Sequence, residues 1–292
     1  MGNGTKRAVV VTSAALLALT LAATPVVAQD DAEPDYLGRI LEAGRIVMST
    51  DPLYPPQSGL DDDGELVGFD IDIGTEIAAR LVVDFVPTPV RWALITAGRW
   101  SERFDFSVGS MTITVPRQEQ IDFTRPYYFN PAVMAAHADL DYTSIDDLAG
   151  KAVCMGEATT YFDWMNGQLD LGELTEQFVP EGSVPPEGST TVTRETDRDC
   201  AVEWGFGRMD FEGWITSAAT AQAAIDDDLP VVILGEPVFY EPLAVAFDNS
   251  IEDNDSLVAA VDQILADMHE DGTLSGFSMT WYGEDLTKQS AE

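Results

Sequence analysis

Two hydroxyl residues and an arginine stand close together at Ser110, Thr112 and Arg117, within the stretch GSMTITVPR. Thr114 is a favourable helix N-cap and Pro116 suits a first helical turn, which places Arg117 as a cation in that turn. The helix dipole disfavours a cation there by a few tenths of a kcal/mol up to about 1 kcal/mol, and a bound anion would reverse this balance. The spacing therefore predicts a carboxylate site, with an exposed arginine as the plain alternative.

Strands that alternate with helices must position this stretch. Residues 104–108 alternate large apolar with polar side chains, which predicts a strand leading into it. Residues 46–50 predict an earlier strand, and residues 92–98 predict a short helix. This alternation indicates an α/β lobe with a mostly parallel sheet.

A second series of strands and helices follows the central stretch. Its predicted strands are 151–154, 213–215 and 231–234, and its predicted helices are 161–166, 197–205 and 216–225. Residues 130–136 and 243–247 are predicted to cross between two lobes. The first lobe would then be discontinuous in sequence.

Residues 68–81, GFDIDIGTEIAARL, place alternating acidic and aliphatic residues after a glycine and an aromatic. This segment resembles the signature of the family 3 bacterial extracellular solute-binding proteins, the periplasmic receptors for polar amino acids. STDPLYPP at 49–56, DFTRPYY at 122–128 and EPVFYEPLAVAFD at 236–248 resemble the same family. The resemblance covers essentially the whole chain apart from its N-terminal leader. Within the signature, Asp70 is interpreted as structural.

The resemblance implies a two-lobed periplasmic-binding-protein fold of type II, in which each lobe is a mostly parallel sheet flanked by helices and two hinge strands cross between them. We expect a signal peptide at 1–28, the first part of lobe 1 at 29–131, lobe 2 at 132–238 and the return of lobe 1 at 239–292. The implied function is to bind a small carboxylate-bearing solute, a polar amino acid or derivative, between closing lobes. A membrane ABC permease would receive the solute, and the receptor is expected to be a monomer.

The resemblance also assigns ligand-binding residues. Arg117 matches the arginine that pairs with a ligand carboxylate, for which a planar guanidinium is better suited than an ammonium. Ser110 and Thr112 match residues that donate to the same carboxylate or accept from the ligand's ammonium group through a hydroxyl or the backbone. Tyr54 and Trp92 match the aromatic walls of the site, and ordinary core packing is the alternative for both.

Further positions follow from the same comparison. Asp51 matches a turn that lies against the ligand side chain, although it could only cap its own turn. Met111 is equally consistent with the core and with a pocket wall. Thr159 and Thr160 resemble a Gly-Thr-Thr turn at a helix N-terminus that closes over the carboxylate, and Ala158 replaces the glycine.

Ser217 marks a departure from the family pattern. It matches the position at which the family has an aspartate that binds the ligand's α-ammonium group. A neutral hydroxyl cannot balance an ammonium charge as a carboxylate does. Either Glu212, Asp51 or another acid takes this role, or the ligand lacks a primary α-amine.

The N-terminus has the pattern of a secretory signal. Lys6 and Arg7 precede an apolar run at 8–23 and the residues 26–28, Val-Val-Ala, which predicts cleavage before Gln29. The run is too short for a comfortable membrane span. No cysteine stands at the cleavage site for a lipid anchor. We therefore expect a periplasmic or secreted protein.

The charge balance is extreme, with 51 acidic against 15 basic residues and a formal net charge of −36. Nucleic acid is excluded as a partner because phosphate binding needs a basic face. The acids are spread along a chain that is 45% hydrophobic, which predicts a folded protein with an acidic surface. We interpret this surface as an adaptation to a salty medium, where screening shortens charge repulsion.

The two cysteines, Cys154 and Cys200, are expected to form a disulfide in an exported protein. The chain has two histidines, so that neither a metal site nor a cofactor is expected. The acidic run 61–64 could be mistaken for a calcium loop, but it lacks the ligand alternation and the downstream glutamate. A hairpin tip is the better interpretation.

Two other classes of function are compatible with the same fold. A periplasmic dehydratase or lyase would need a general acid or base near the pocket, for which Asp51 and Glu212 are the candidates. A ligand-sensing partner of a membrane receptor would have to act in trans. The solute receptor is the leading hypothesis.

Overall fold

The computed structural model of the protein describes residues 1–5 and 33–288. Contacts divide the chain into Met1–Glu33 and Pro34–Glu292, and all helices and strands named below lie in the second unit. Residues 6–28 of the predicted signal peptide and residues 289–292 of the predicted return segment lie outside the described residues. Within the described ranges, no helix is long and apolar enough to cross a bilayer.

The first half of the main sheet is a group of three parallel strands. They lie in the order β4 (Asp84–Pro89), β1 (Arg45–Thr50) and β5 (Phe106–Thr112). The elements that connect and flank them are α1 (Tyr36–Ala43), the hairpin β2 (Gly59–Leu60) and β3 (Leu66–Val67), α2 (Phe69–Leu81), α3 (Trp92–Thr96) and α4 (Val115–Gln118).

The second half is another parallel group. It consists of β9 (Gly213–Ser217), β7 (Ala152–Gly156) and β8 (Thr190–Arg194), in that order. Its helices are α5 (Thr160–Met165), α6 (Thr175–Phe178), α7 (Asp197–Gly205) and α8 (Ala218–Asp226). The disulfide between Cys154 and Cys200 joins β7 to α7, which confirms the predicted pairing.

Two long strands connect the halves. β6 (Ile121–His137) and β10 (Val231–Asp248) pair antiparallel with each other, while β10 also pairs with β5 and β6 with β9. All eight strands therefore form one continuous sheet. This architecture confirms the two-lobed α/β fold with two crossing strands. The lobe boundaries expected near residues 131 and 238 fall inside these strands and stay a prediction.

The strands predicted separately at 231–234 and 243–247 are the two ends of β10. Gly235, with φ of +68°, falls between these ends and reads in the sequence as a break. The ladder with β6 shifts register between Leu234 and Phe239 and again on either side of Ala244, but the strand continues through these irregularities.

The chain returns to the first half through α9 (Asp255–Glu270) and α10 (Thr273–Tyr282). Leu257 and Leu265 of α9 are fully buried in one core with Ile46 of β1 and Phe247 of β10. The aliphatic stripe of α9 thus covers the sheet that the earlier helices leave open.

Local signals account for the element ends near the predicted site. Thr114 caps α4, with its hydroxyl accepting from the backbone N–H of Arg117 at 3.3 Å. Gly44 ends α1 in the left-handed conformation that a glycine adopts readily. Asp61 accepts from the N–H groups of Asp63 and Glu65, so that residues 61–64 form the predicted hairpin tip.

Candidate functional site

A cavity opens at the carboxyl ends of strands from both halves of the sheet. Its empty volume is about 470 Å³, which includes solvent space at its mouth. Segments after β1 and β5 line it from the first half, and segments after β7 and β8 line it from the second. Ligand sites in α/β sheets form in crevices at such strand ends. The lining residues are Asp51, Tyr54, Trp92, Gly109, Ser110, Thr112, Arg117, Gly156, Thr159, Thr160, Tyr161, Glu195, Thr196, Asp197 and Glu241.

Most of the ligand-binding residues predicted from the sequence come together in this cavity. These are Asp51, Tyr54, Trp92, Ser110, Thr112, Arg117, Thr159 and Thr160. Met111 and Ser217 are not among the lining residues. Met111 packs in a core cluster with Ile95 and Trp100, which was one of its two interpretations.

Arg117 lies in the cavity and not in bulk solvent. Its guanidinium donates to the main-chain oxygen of Thr112 at 2.9 Å and to that of Ala158 at 3.1 Å. Its central carbon lies 5.4 Å from the ring centroid of Trp92, a cation–π distance. Because α4 has four residues and Thr114 already occupies the N–H of Arg117, the guanidinium, and not the helix terminus, is the group that can take an anion.

Burial lowers the pKa of Arg117 from its usual 12.5, while the negative charges of Asp163 and Glu241 raise it. The side chain remains a cation near neutral pH. A planar, charged donor that is partly removed from water is well suited to a carboxylate ligand.

Aromatic side chains form two walls of the cavity. The indole N–H of Trp92 donates to the main-chain oxygen of Ala158 at 3.1 Å, which joins the first half of the sheet to the second. The hydroxyls of Tyr54 and Tyr161 lie 3.2 Å apart and make a second such contact. These rings can hold an apolar or flat part of a ligand.

Ser110 contributes less to the cavity than its sequence context indicates. Its hydroxyl donates to Asp70 at 2.8 Å and lies 2.6 Å from the hydroxyl of Tyr128. Its backbone N–H donates to Tyr127, which in turn donates to Asp70 at 2.7 Å. Asp70 therefore fixes the floor of the cavity from below, which agrees with its structural interpretation. Burial raises the pKa of Asp70 to about 7.

Glu241 is a lining residue that the sequence analysis missed. This buried acid on β10 accepts from three hydroxyls: Thr112 at 2.7 Å, Thr160 at 2.5 Å and Tyr161 at 2.7 Å. Burial raises its pKa, while these hydrogen bonds and the charge of Arg117 lower it. An acid two residues before the apolar strand predicted at 243–247 is the signal that could have identified it.

Asp197 was also missed. It is the first residue of α7, and its carboxylate accepts from the N–H of Gly156 at 2.5 Å and from the hydroxyl of Thr216 at 3.5 Å. Burial raises its pKa to about 8, and the charges of Glu241 and Asp51 add to that rise. An acid at a helix start is usually explained by its interaction with the helix N-terminus, so that Asp197 has no distinct signal in the sequence.

Three other acids were candidates from the sequence or lie at the rim. Asp51 lines the cavity and also accepts from the N–H of Leu53 at 3.0 Å, so that it caps its own turn as well. Burial raises the pKa of Asp51. Glu195 is half-exposed and pairs with Arg91 at 2.5 Å. Glu212 is not a lining residue, because it pairs instead with Lys151 at 3.0 Å.

Ser217 is fully buried at the N-cap of α8. Its hydroxyl accepts from the amide of Gln57 at 3.3 Å and donates to Thr220 at 2.9 Å, and Thr220 donates to Gln57 at 3.4 Å. Gln57 comes from the loop after β1, so this closed ring of hydrogen bonds spans the two halves. The position at which the family pattern has an acid is thereby sealed from the cavity.

Taken over the described residues that line the cavity, four carboxylates accompany one guanidinium. Such a site can bind an anion and a cation together. The described part of the chain contains no group of three or more histidine, cysteine, aspartate or glutamate side chains arranged to hold a metal ion.

Curated relatives share this chain's sequence over most of its length. The L-cystine-binding protein TcyJ of Escherichia coli (strain K12) is 27% identical over 259 residues, which cover 88% of this chain and 90% of TcyJ. The ABC transporter arginine-binding protein 1 of the same organism is 25% identical over 243 residues, covering 82% of this chain and 91% of that protein.

Solved structures show the same fold. An ancestral arginine-binding protein bound to glutamine superimposes with a TM-score of 0.68 at 26% identity, covering 82% of this chain and 99% of that one. An ancestral amino-acid-binding protein, a precursor of cyclohexadienyl dehydratase, gives 0.70 at 25% identity, with coverage of 84% and 99%.

The family comparison agrees with these relatives. Residues 46–284 match the family described as bacterial extracellular solute-binding proteins, family 3. The match extends from β1 to the end of α10 and includes every strand that borders the cavity. The chain belongs to the family 3 bacterial extracellular solute-binding proteins.

Proposed function

We propose that this protein is an exported receptor that binds an amino acid or a close derivative in the cavity and delivers it to an ABC importer. The observation that carries the proposal is the combination of charges at the cavity. Arg117 enters it from the first half, Asp197 from the second half and Glu241 from a crossing strand. An α-amino acid has the complementary groups, a carboxylate for the guanidinium and an ammonium for a carboxylate.

Contacts across the cavity support binding by closure. The main-chain oxygen of Ala158 accepts from both Trp92 and Arg117, each at 3.1 Å. Arg91 pairs with Glu195 across the rim. A ligand held by residues of both halves would add its own contacts to these and would favour the shut arrangement over an open one.

The relatives support the same role. They include an L-cystine-binding protein and an arginine-binding protein of an ABC transporter. We extend to this chain the amino-acid ligand and the importer as its partner. The acids Asp51 and Glu195 beside the aromatic walls Tyr54 and Trp92 favour a ligand side chain that is polar or cationic.

Export is part of the proposal. The N-terminal pattern favours a secretory signal, and the disulfide between Cys154 and Cys200 suits an oxidising compartment outside the cytoplasm. The periplasm is the compartment in which a receptor of this kind would meet its permease.

The proposal is tested by binding measurements on protein purified without refolding. A thermal-shift screen of the common L-amino acids and L-cystine selects the compound for calorimetry. Arg117→Ala is expected to weaken binding by about 30-fold or more, because it removes one partner of a buried charged pair. Arg103→Ala is the matched control, since the Arg103 guanidinium donates to the main-chain oxygen of Trp100 away from the cavity.

The control variant is expected to bind as the wild type does. A wild-type protein that responds to none of these compounds would contradict the receptor proposal. Equal affinity of Arg117→Ala and the wild type would contradict the placement of the site.

A second candidate function is a dehydratase or lyase reaction in the same cavity. It is favoured by the pKa of Asp197, which burial raises to about 8, because a carboxyl group that keeps its proton near neutral pH can act as a general acid. One similar structure is that of a precursor of cyclohexadienyl dehydratase. Mass spectrometry after incubation separates the two functions: a receptor returns the bound compound unchanged, and an enzyme accumulates product.

A further inference from the structure

We propose that Asp197, at the start of α7, binds the ammonium group of the ligand in place of the family's acid at the end of β9. The inference rests on the proposed function and assigns one residue within it. Four observations lead to it: the position of Asp197, its unused acceptor capacity, the engagement of the other acids, and the sealing of Ser217.

Asp197 lies where a ligand can reach it, although it is only 4% exposed. Its carboxylate accepts one short hydrogen bond from Gly156 and one long hydrogen bond from Thr216. A carboxylate has about four acceptor positions, so that about half of them remain for a ligand. A buried carboxylate with this much unused capacity is unfavourable alone and becomes favourable beside a cation.

The other lining acids differ from Asp197 in their contacts or in their place in the sheet. Glu241 already accepts from three hydroxyls, which orient both of its oxygens. Glu195 has Arg91 as its cation at the rim. Asp51 caps the turn that follows it through the N–H of Leu53. Asp197 is the buried lining acid that comes from the second half of the sheet, the half that contains β9, and its contacts include no cation.

Ser217 does not supply the missing charge. Its hydroxyl belongs to the buried ring with Gln57 and Thr220, and that ring has no charged member. Gln57 fills the space next to the end of β9 from the opposite half of the sheet. The negative charge has therefore moved from the end of β9 to the start of the helix that follows β8.

The disulfide holds this arrangement in place. Cys200 lies on α7, the helix that Asp197 begins, and Cys154 lies on β7, the strand that Gly156 ends. The cross-link therefore joins the two elements whose ends meet in the hydrogen bond between Asp197 and Gly156. The carboxylate is positioned on a rigid support and not on a free loop.

Binding of an ammonium group should displace a proton from this site. The charged groups that raise the pKa of Asp197 are Glu241 and Asp51, while the donors Gly156 and Thr216 lower it. Near neutral pH part of the population carries a proton on Asp197, and a cation would release it. Affinity for an amino acid is therefore expected to rise with pH between about 6.5 and 8.

The test compares matched ligands and matched variants by calorimetry. The probes are the L-amino acid with the largest thermal shift and the α-hydroxy acid in which a hydroxyl replaces its ammonium group. Asp197→Asn keeps the shape of the side chain and an acceptor for Gly156. Asp199→Asn, in the same helical turn, is the control, since its carboxylate caps Thr196 and is not a lining group.

Asp197→Asn is expected to weaken amino-acid binding by about 30-fold or more, while it changes hydroxy-acid binding by less than about threefold. The same variant should lose the pH dependence between 6.5 and 8. Asp199→Asn should retain wild-type values for both probes. A thermal midpoint of Asp197→Asn at or above that of the wild type shows that the variant is folded.

Three outcomes would overturn the inference. Equal amino-acid affinity of Asp197→Asn and the wild type would remove Asp197 from the site while the proposed function stands. Loss of discrimination between the two probes in Glu241→Gln, but not in Asp197→Asn, would assign the ammonium to Glu241. Absence of amino-acid binding by the wild type would contradict the proposed function as well.

Discussion

Asp70 and Asp197 are two buried acids in comparable places that serve different purposes. Each lies in the first turn of a helix, Asp70 in α2 and Asp197 in α7. Burial raises both pKa values, to about 7 and about 8. Their titration alone would therefore assign them the same role.

Their surroundings separate them. Asp70 is fully buried and accepts from the hydroxyls of Ser110 and Tyr127, and it is not a lining residue of the cavity. Asp197 has a cavity on one side. A perturbed acid supports the fold where hydroxyls surround it, and it is available for recognition where part of its surface faces an accessible space. The two acids are therefore distinguished by their access to the cavity and by their hydrogen-bond partners, and not by the size of the pKa shift.

The largest expected effect is on the pH dependence of stability. Both acids keep a proton in the folded protein at pH values where the unfolded chain has lost it, so that the free energy of unfolding falls as pH rises from about 4 to about 7 for Asp70 and to about 8 for Asp197. Each pKa unit corresponds to about 1.4 kcal/mol, so that the two acids together contribute at most about 10 kcal/mol to this dependence.

Urea unfolding at fixed salt, from pH 5 to 8.5, measures this dependence. Asp70→Asn should reduce the decrease in the free energy of unfolding with pH below about pH 7. A saturating concentration of the amino acid should remove the contribution of Asp197 to the pH dependence of the unfolding free energy. The contribution of Asp70 should remain. A bound amino acid that leaves the whole profile unchanged would contradict the difference between the two acids.

Removal of the disulfide should destabilise the region around Asp197 and leave the region around Asp70 unchanged. The bridge spans 46 residues, and the chain-entropy argument gives about 4 kcal/mol for such a loop. The double variant Cys154→Ala and Cys200→Ala is expected to lose about 2–4 kcal/mol of unfolding free energy. Hydrogen exchange should accelerate in β7 and α7 and stay unchanged in α2. Equal acceleration around Asp70 would show that the two regions are not independent.

A matched pair of tyrosines sharpens the comparison further. Tyr127 donates to Asp70 and Tyr161 donates to Glu241, each at 2.7 Å. Tyr127→Phe removes one of the two hydroxyl donors to the buried carboxyl of Asp70 and should cost about 1–3 kcal/mol of stability, with amino-acid affinity within about threefold of the wild type. Tyr161→Phe should instead weaken binding by a larger factor. Urea unfolding measures the stability of both variants, and calorimetry measures their affinity. A large loss of affinity in Tyr127→Phe, together with wild-type affinity in Tyr161→Phe, would contradict the structural role of Asp70 and the binding role of the cavity acids.

The smallest effect is expected at the rim of the cavity. Glu195 and Arg91 form a largely exposed pair, and such pairs contribute about 0.2–1 kcal/mol. Glu195→Gln should therefore change amino-acid affinity by less than about fivefold, and added salt should reduce the difference. An effect as large as that of Asp197→Asn would show that exposure does not rank the acids of the cavity.

Much of the fold follows from local sequence. The start of α4 at Thr114 and the hairpin tip at 61–64 are predicted because their signals lie within a few residues of each element. β10 was predicted as two strands, since Gly235 reads as a break. Its pairing with β6 restores one strand, and that pairing involves residues about a hundred positions away.

Site residues could be predicted from the sequence where their own type and motif indicate binding. They could not be predicted where their role depends on contacts with segments that are distant in sequence. Arg117, Trp92 and Thr112 lie at the cavity as expected. Ser217 matched a family position, but Gln57, 160 residues away, occupies its hydroxyl. Glu241 is significant because hydroxyls from both halves converge on it, and local sequence carries no information on that convergence.

The irregular pairing of the two crossing strands has a mechanical consequence. The ladder is broken between Leu234 and Phe239 and again around Ala244, whereas Glu241 lies in the regular segment between these breaks. A paired ribbon bends most easily where its ladder is interrupted. If one lobe rotates against the other, the two crossing strands would therefore bend at these two interruptions. The regularly paired segment between the interruptions would keep its shape. Glu241 would sit near the pivot, where displacement is smallest, and would remain within reach of both lobes throughout the rotation.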